Sequence, residues 1–155
     1  MYRRILVPVD GSEPSNRGLD EALKIAKEGK CEIMLLHVVD ELLVMPTPEA
    51  VYDATAIIES LREAGAEVLR SSADAVRSAG LTAETELVEC VGGRAADIIV
   101  ERAKKWRADL IVLGTHGRRG VRRLVMGSDA EEVVRLAPVP VLLVRPSVSD
   151  RKTKC

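Results

Sequence analysis

Apolar runs and stretches of helical spacing alternate along the whole chain. Ile5-Leu6-Val7-Pro8-Val9 is a continuous apolar run closed by Asp10-Gly11, the pattern of a strand buried on both faces. Ser12 or Ser15 can cap the helix that follows, whose apolar positions include Leu19, Ala22, Leu23 and Ala26, with Gly29 as its C′ residue. Residues 33–39 repeat the buried-strand pattern. After an irregular segment, Asp40 to Thr55, containing Pro46 and Pro48, a long helix is predicted from about Ala54 to Ala79, ended by Gly80. Its stripe is Ile57, Ile58, Leu61, Ala64, Val68, Ala75 and Val76.

Residues 81–90 behave differently. Ala83, Thr85 and Leu87 alternate with Glu84 and Glu86, and charge on every second position predicts an edge strand. Gly92-Gly93 turns the chain into a third helix carrying Ala95, Ile98, Ile99, Arg102, Ala103 and Trp106. Leu110-Ile111-Val112-Leu113 is a fourth strand. A glycine-bearing loop then runs to Gly127, Ser128 can cap a short helix through Arg135, and residues 139–144 form a fifth strand. Strict β-α alternation implies a single α/β domain, a parallel sheet with helices on both faces, spanning residues 1–146. The polar tail, 147–155, is expected to be mobile.

Composition narrows this picture. The chain has 155 residues, enough for one core, and no Phe, so Val, Ile, Leu and Ala must fill that core. A net charge of -1 provides no general field for nucleic acid or an anionic membrane. Cys31, Cys90 and Cys155 are too far apart for a metal motif and odd in number, which fits a reducing compartment. The N-terminus reads as neither a secretory leader nor a membrane span, so the cytoplasm is the expected location.

The chemistry concentrates after the fourth strand. Gly114-Thr115-His116-Gly117 is followed by nine residues and then Gly127-Ser128. Glycines let a ligand approach the backbone closely, and backbone N–H groups in such a loop can form an anion nest. Gly127-Ser128 at a helix start would add N–H donors and a favourable dipole for phosphate. Arg118, Arg119, Arg122 and Arg123 raise the local positive potential or form a solvated cationic face. The spacing is not that of a Walker A loop, and no dinucleotide fingerprint follows the first strand.

The runs Ile5–Glu13, Leu36–Val39 and Ala137–Arg145, together with the Gly114–Ser128 motif, resemble the universal stress protein family in order and over nearly the whole chain. The G-x2-G-x9-G-S pattern resembles that family's ATP-binding branch. The resemblance implies five parallel strands in order 3-2-1-4-5, a homodimer formed through the last strand, and bound ATP with Mg²⁺. It places Pro8, Val9 and Asp10 against the adenosine and Val38 at the adenine edge. Gly114 and Gly117 would line the ribose and phosphates, with Thr115 and His116 between them, and Gly127 and Ser128 would hold the phosphates. Asp129 departs from the pattern, because the family often has an apolar or small residue there. Its carboxylate would repel a triphosphate unless it points away or helps hold Mg²⁺.

Other residues carry two readings each. Asp10 suits nucleotide binding or a cap on the following turn. His116 could act as an acid or base, but no partner lies beside it in sequence, and His37 within a buried strand reads as a satisfied core histidine. Arg102, Lys104, Lys105 and Arg107 read as a solvated helix end. With no clear base or second acidic ligand, the sequence predicts a nucleotide-dependent stress-response regulator with at most slow hydrolysis. The alternatives are an enzyme acting on ATP, or a dimeric interaction module that does not need nucleotide.

Overall fold

The computed structural model describes residues 1–41, 51–115 and 127–145, the side chains of 51–53 excepted. Most of the irregular segment, His116, Gly117, the four loop arginines and the tail lie outside the described residues. The element order is β1 (Arg4–Pro8), α1 (Glu13–Gly29), β2 (Glu32–Asp40), α2 (Val51–Ser78), β3 (Ala83–Cys90), α3 (Ala95–Trp106), β4 (Leu110–Gly114), α4 (Ser128–Leu136) and β5 (Val141–Val144). The five strands form one parallel sheet in the order β3-β2-β1-β4-β5.

Continuous apolar runs suit the three inner strands because both of their faces are covered. Ile5, Val7, Ile33, Leu35, Leu110 and Val112 pack with Leu19, Ala22 and Ala26 of α1 and with Leu69 and Val76 of α2. The alternate residues Leu6, Met34, Leu36, Ile111 and Leu113 pack with Ala96, Ile99 and Ala103 of α3 and with Ala130 and Val133 of α4. The period-2 pleat thus divides each strand between two aliphatic cores.

β3 lies at the edge, as its alternating charges predict. Those charges turn onto α3: Trp106 Nε1 donates to Glu84 at 3.2 Å, and Arg102 lies 3.3 Å from Glu86. Arg102 is therefore an ion-pair partner at the sheet edge rather than part of a solvated helix end. At the amino ends of the strands, Asp109 accepts from the N–H groups of Arg3 and Arg4 at 2.8 and 3.0 Å, and the Arg4 guanidinium stacks 5.3 Å from the Trp106 ring.

Several local expectations are corrected. The left-handed residue closing α1 is Lys30, at φ 52°, and not Gly29. Gly29 is needed because a Cβ there would come within 2.8 Å of Cys31 Sγ. Along α2, Ile57 and Ala64 are exposed, and the buried stripe runs through Gly65, Leu69, Ser72 and Val76. β5 starts at Val141; Pro140 has no N–H to donate and contributes its carbonyl to Ile111 N–H at 3.0 Å.

Candidate functional site

The order 3-2-1-4-5 reverses the chain's direction of travel between β1 and β4, so a crevice opens beyond their carboxyl ends. The turn leaving β1 forms one wall. Val9 is buried; its N–H donates to the Leu36 carbonyl at 2.8 Å, and its own carbonyl accepts from His37 Nδ1 at 2.7 Å. Pro8 beside it is half-buried.

Asp10 holds the turn that follows β1, as its capping reading expects. Its Oδ1 accepts from Ser12 N–H at 2.8 Å, an Asx turn, and its own N–H donates to Ser15 Oγ at 3.1 Å. Ser12 Oγ in turn accepts from Ser15 N–H at 3.3 Å and caps α1, so of the two candidate serines Ser12 is the cap. The carboxylate is thereby tied to the N-cap residue of α1. Gly11 must be glycine, because φ is +78° there and an added Cβ would stand 3.0 Å from Val68 Cγ2 of α2.

β4 forms the opposite wall. Gly114 has a packing role that its place in the glycine motif does not reveal. A Cβ there would overlap the Pro14 carbonyl and stand 2.9 Å from Pro14 Cβ. Gly18 one turn along α1 answers it, since a Cβ at Gly18 would lie 3.0 Å from Gly114 N. Two glycines thus allow the first turns of α1 to lie directly on the end of β4. Thr115 is buried; its N–H donates to the Val144 carbonyl at 3.1 Å, and its carbonyl accepts from Gly127 N–H at 2.7 Å. The glycine segment therefore leaves and rejoins the described structure at one hydrogen bond, which brings the start of α4 to the carboxyl end of β4.

Two expectations change at that helix start. The N-cap residue is Gly127, with no side-chain cap, so Ser128 is the first helical residue and its hydroxyl does not cap the helix. The Gly127 N–H is engaged by Thr115, so the orphan donors of the first turn begin at Ser128, which is exposed. Asp129 and Glu131 lie in the same turn, where acidic side chains suit the helix dipole.

Val38 lies toward the carboxyl end of β2, half-buried, opposite Val88 in register and against the core under α3 and α4. Cys90 closes β3 nearby. Burial is the main cause that pushes its thiol above the ordinary value, and the charges of Asp40, Asp97 and Asp129 add to the rise while a Gly93 N–H opposes it. At the same end Arg62 of α2 pairs with Glu89 and holds that carboxyl low, whereas burial and the neighbouring Glu89 raise Glu41. This end of the sheet therefore has an acidic rim around β2 and β3. Among the described residues no three His, Cys, Asp or Glu side chains form a ready metal cluster.

The structure brings together Pro8, Val9, Asp10, Gly114, Thr115, Gly127 and Ser128, while His116 and Gly117 lie outside the described residues. Sequence reasoning missed the bond of Ser15 to the Asp10 N–H, the packing roles of Gly18 and Gly65, and the hold of His37 on Val9. Gly18 and Gly65 did leave a signal, since a glycine inside a helix is unfavourable unless packing requires it.

Residues 1–145 match the model of the universal stress protein family. The universal stress protein MJ0531 of Methanocaldococcus jannaschii is 39% identical over 146 residues, covering 94% of this chain and 83% of that protein. The solved structure of the universal stress protein UspA from Lactobacillus plantarum superposes with a TM-score of 0.81 at 28% identity, covering 93% of this chain and 98% of that one. A universal stress protein solved in complex with cAMP superposes with a TM-score of 0.69 at 28% identity, covering 94% of this chain and 99% of the other.

Proposed function

Since the chain belongs to the universal stress protein family, we propose that it binds an adenine nucleotide, ATP with Mg²⁺, in the crevice beyond β1 and β4, and regulates a stress response by its nucleotide state. The observation that carries the reading is the meeting of three features at one switch point. These are the Asp10 turn at the end of β1, the glycine segment that starts at Gly114, and the start of α4 held there by the Thr115–Gly127 hydrogen bond. The similar protein solved with cAMP supports an adenine nucleotide as the class of ligand.

In this reading Pro8, Val9 and Asp10 face the adenosine and the Val38 backbone meets the adenine edge. Gly114, Thr115, His116 and Gly117 follow the ribose and phosphates, and the Gly127–Ser128 helix start receives the phosphates. Mg²⁺ would be held chiefly by phosphate oxygens and water, as is usual for this ion, with Asp10 or Asp129 as the candidate single carboxylate. Regulation rather than fast turnover is the reading because the sequence offers Asp10 and Ser128 but no clear second acidic ligand or base, which fast phosphoryl transfer needs. β5 carries four half-buried aliphatic residues at the sheet edge, and Val134 and Leu136 on α4 are exposed beside it. A homodimer through β5 would cover that edge. The protein works in the cytoplasm in this account; no helix among the described residues is long and apolar enough to cross a membrane.

The second reading, a dimeric interaction module without nucleotide, is favoured by one feature, the exposed Asp129 in the turn meant for phosphates. Calorimetric titration with ATP, ADP and AMP, with and without Mg²⁺, decides between them. Saturable binding of ATP supports the regulator. Absence of heat for all three, with the fold intact, supports the module.

A further inference from the structure

The turn that leaves β1 is held by α1 through Ser15 and, on its other side, by β2 and α2. His37 is a buried histidine on β2, and its Nδ1 lies 2.7 Å from the Val9 carbonyl. A carbonyl only accepts, so Nδ1 carries the proton and donates. The ring occupies the place where a side chain of α2 would otherwise stand. A Cβ added at Gly65 would lie 2.5 Å from His37 Cδ2 and 2.8 Å from Nε2. One turn further along α2, Val68 packs beneath Gly11, whose own missing Cβ would be 3.0 Å from Val68 Cγ2. Val9 and Gly11 flank Asp10, and the Asp10 carboxylate is oriented by the same turn.

We propose that His37 is a positioning residue for the β1 exit: its Nδ1–H holds the Val9 carbonyl, Gly65 is glycine to admit its ring, and α2 thereby sets the conformation of the Val9–Ser12 turn. The consequence for ligand affinity rests on the nucleotide reading above; the structural assignment does not. The nucleotide then meets a wall whose order depends on a contact outside the crevice.

The test is amide hydrogen exchange over residues 9–12 in nucleotide-free protein, compared in wild type, His37→Asn, His37→Leu and Gly65→Ala. Asparagine keeps a donor near the Nδ1 position and leucine does not. Alanine at 65 leaves the histidine in the chain but displaces its ring; general overpacking would speed exchange in α3 as well, whereas loss of the Val9 contact is confined to residues 9–12. Exchange at Asp10 to Ser12 is expected to rise about tenfold in the leucine and alanine variants, the scale of losing one buried hydrogen bond, and to stay near wild type in the asparagine variant. α3 amides from Ile99 to Ala103 should be unchanged. Should the leucine variant not fold, Gly65→Ala decides alone. Unchanged exchange in a folded Gly65→Ala protein, or an asparagine variant as fast as leucine, overturns the assignment. ATP titration of the same variants should show affinity falling with leucine and alanine and restored with asparagine. A wild type that takes up no adenine nucleotide would overturn the nucleotide reading, and the exchange comparison would still decide the role of His37.

Discussion

Gly114 belongs to the glycine motif, yet the structure places it under α1, and the two roles separate in one substitution. In Gly114→Ala the new Cβ overlaps the Pro14 carbonyl and lies 2.9 Å from Pro14 Cβ. Backbone atoms cannot rotate away, and one turn further along α1 the helix is already so close that a Cβ at Gly18 would lie 3.0 Å from Gly114 N. α1 must lift from β4, or β4 must shift against Thr115 and its bond to the Val144 carbonyl. Overpacking of this kind costs roughly 1–3 kcal/mol, and the backbone contact puts the expected loss near the top of that range, about 3 kcal/mol. For a domain of this size that lowers Tm by about 6–12 °C. The assay is urea unfolding of nucleotide-free protein followed by far-UV circular dichroism, with fluorescence of the single Trp106 as a second probe. If Gly114 only let a ligand approach, the apo protein would lose nothing. A midpoint shift equivalent to less than about 0.5 kcal/mol, the range of ordinary surface changes, would refute the packing argument.

Ser12→Ala removes the α1 cap and should cost about 1 kcal/mol in the same unfolding assay. Asp10→Asn keeps an acceptor for Ser12 N–H and should unfold like wild type, while Asp10→Ala should lose about 1 kcal/mol with that hydrogen bond. Asp129→Asn removes a negative charge from the first turn of α4 and should tighten ATP binding by calorimetry roughly twofold to fivefold, the worth of one charge at a helix terminus; weaker binding would instead mark Asp129 as a Mg²⁺ ligand. Burial is the main cause that raises the thiols of both Cys31 and Cys90. Native protein should therefore react slowly with a thiol reagent at these two positions and quickly in urea. Because the unfolded thiols ionise first, stability should fall as pH rises from the ordinary thiol value through the raised folded values.

Much of the architecture could be read from residue patterns because the sheet imposes its geometry locally. A strand covered on both faces must be apolar at every position, as Ile5 to Val7 and Ile33 to Leu36 are, and an edge strand can carry Glu84 and Glu86. The candidate site leaves a trace for a related reason: a loop at a strand's carboxyl end that needs glycine leaves a spacing in the chain. Long-range contacts left no such trace. Nothing near Val9 shows that a histidine 28 residues later holds its carbonyl. Gly18 and Gly65 are glycines inside helices, a signal in itself, but their partners, Gly114 and His37, become visible only when the sheet brings them together. Ser128 was misread as a cap because a serine after glycine fits either position; the backbone assigns the cap to Gly127. The glycine of that helix end serves the close approach to Cys31, and the left-handed position falls one residue later, on Lys30.

The measurement that tests the central claim most directly is the small-molecule content of freshly purified protein, released by denaturation and identified by chromatography and mass spectrometry. Wild type should be compared with a Gly117→Val, Ser128→Ala variant shown to be folded by circular dichroism. The account predicts adenine nucleotide in the wild type and little in the variant. It is contradicted if the wild type carries none and takes up none when ATP and Mg²⁺ are added, or if the folded variant retains as much as the wild type.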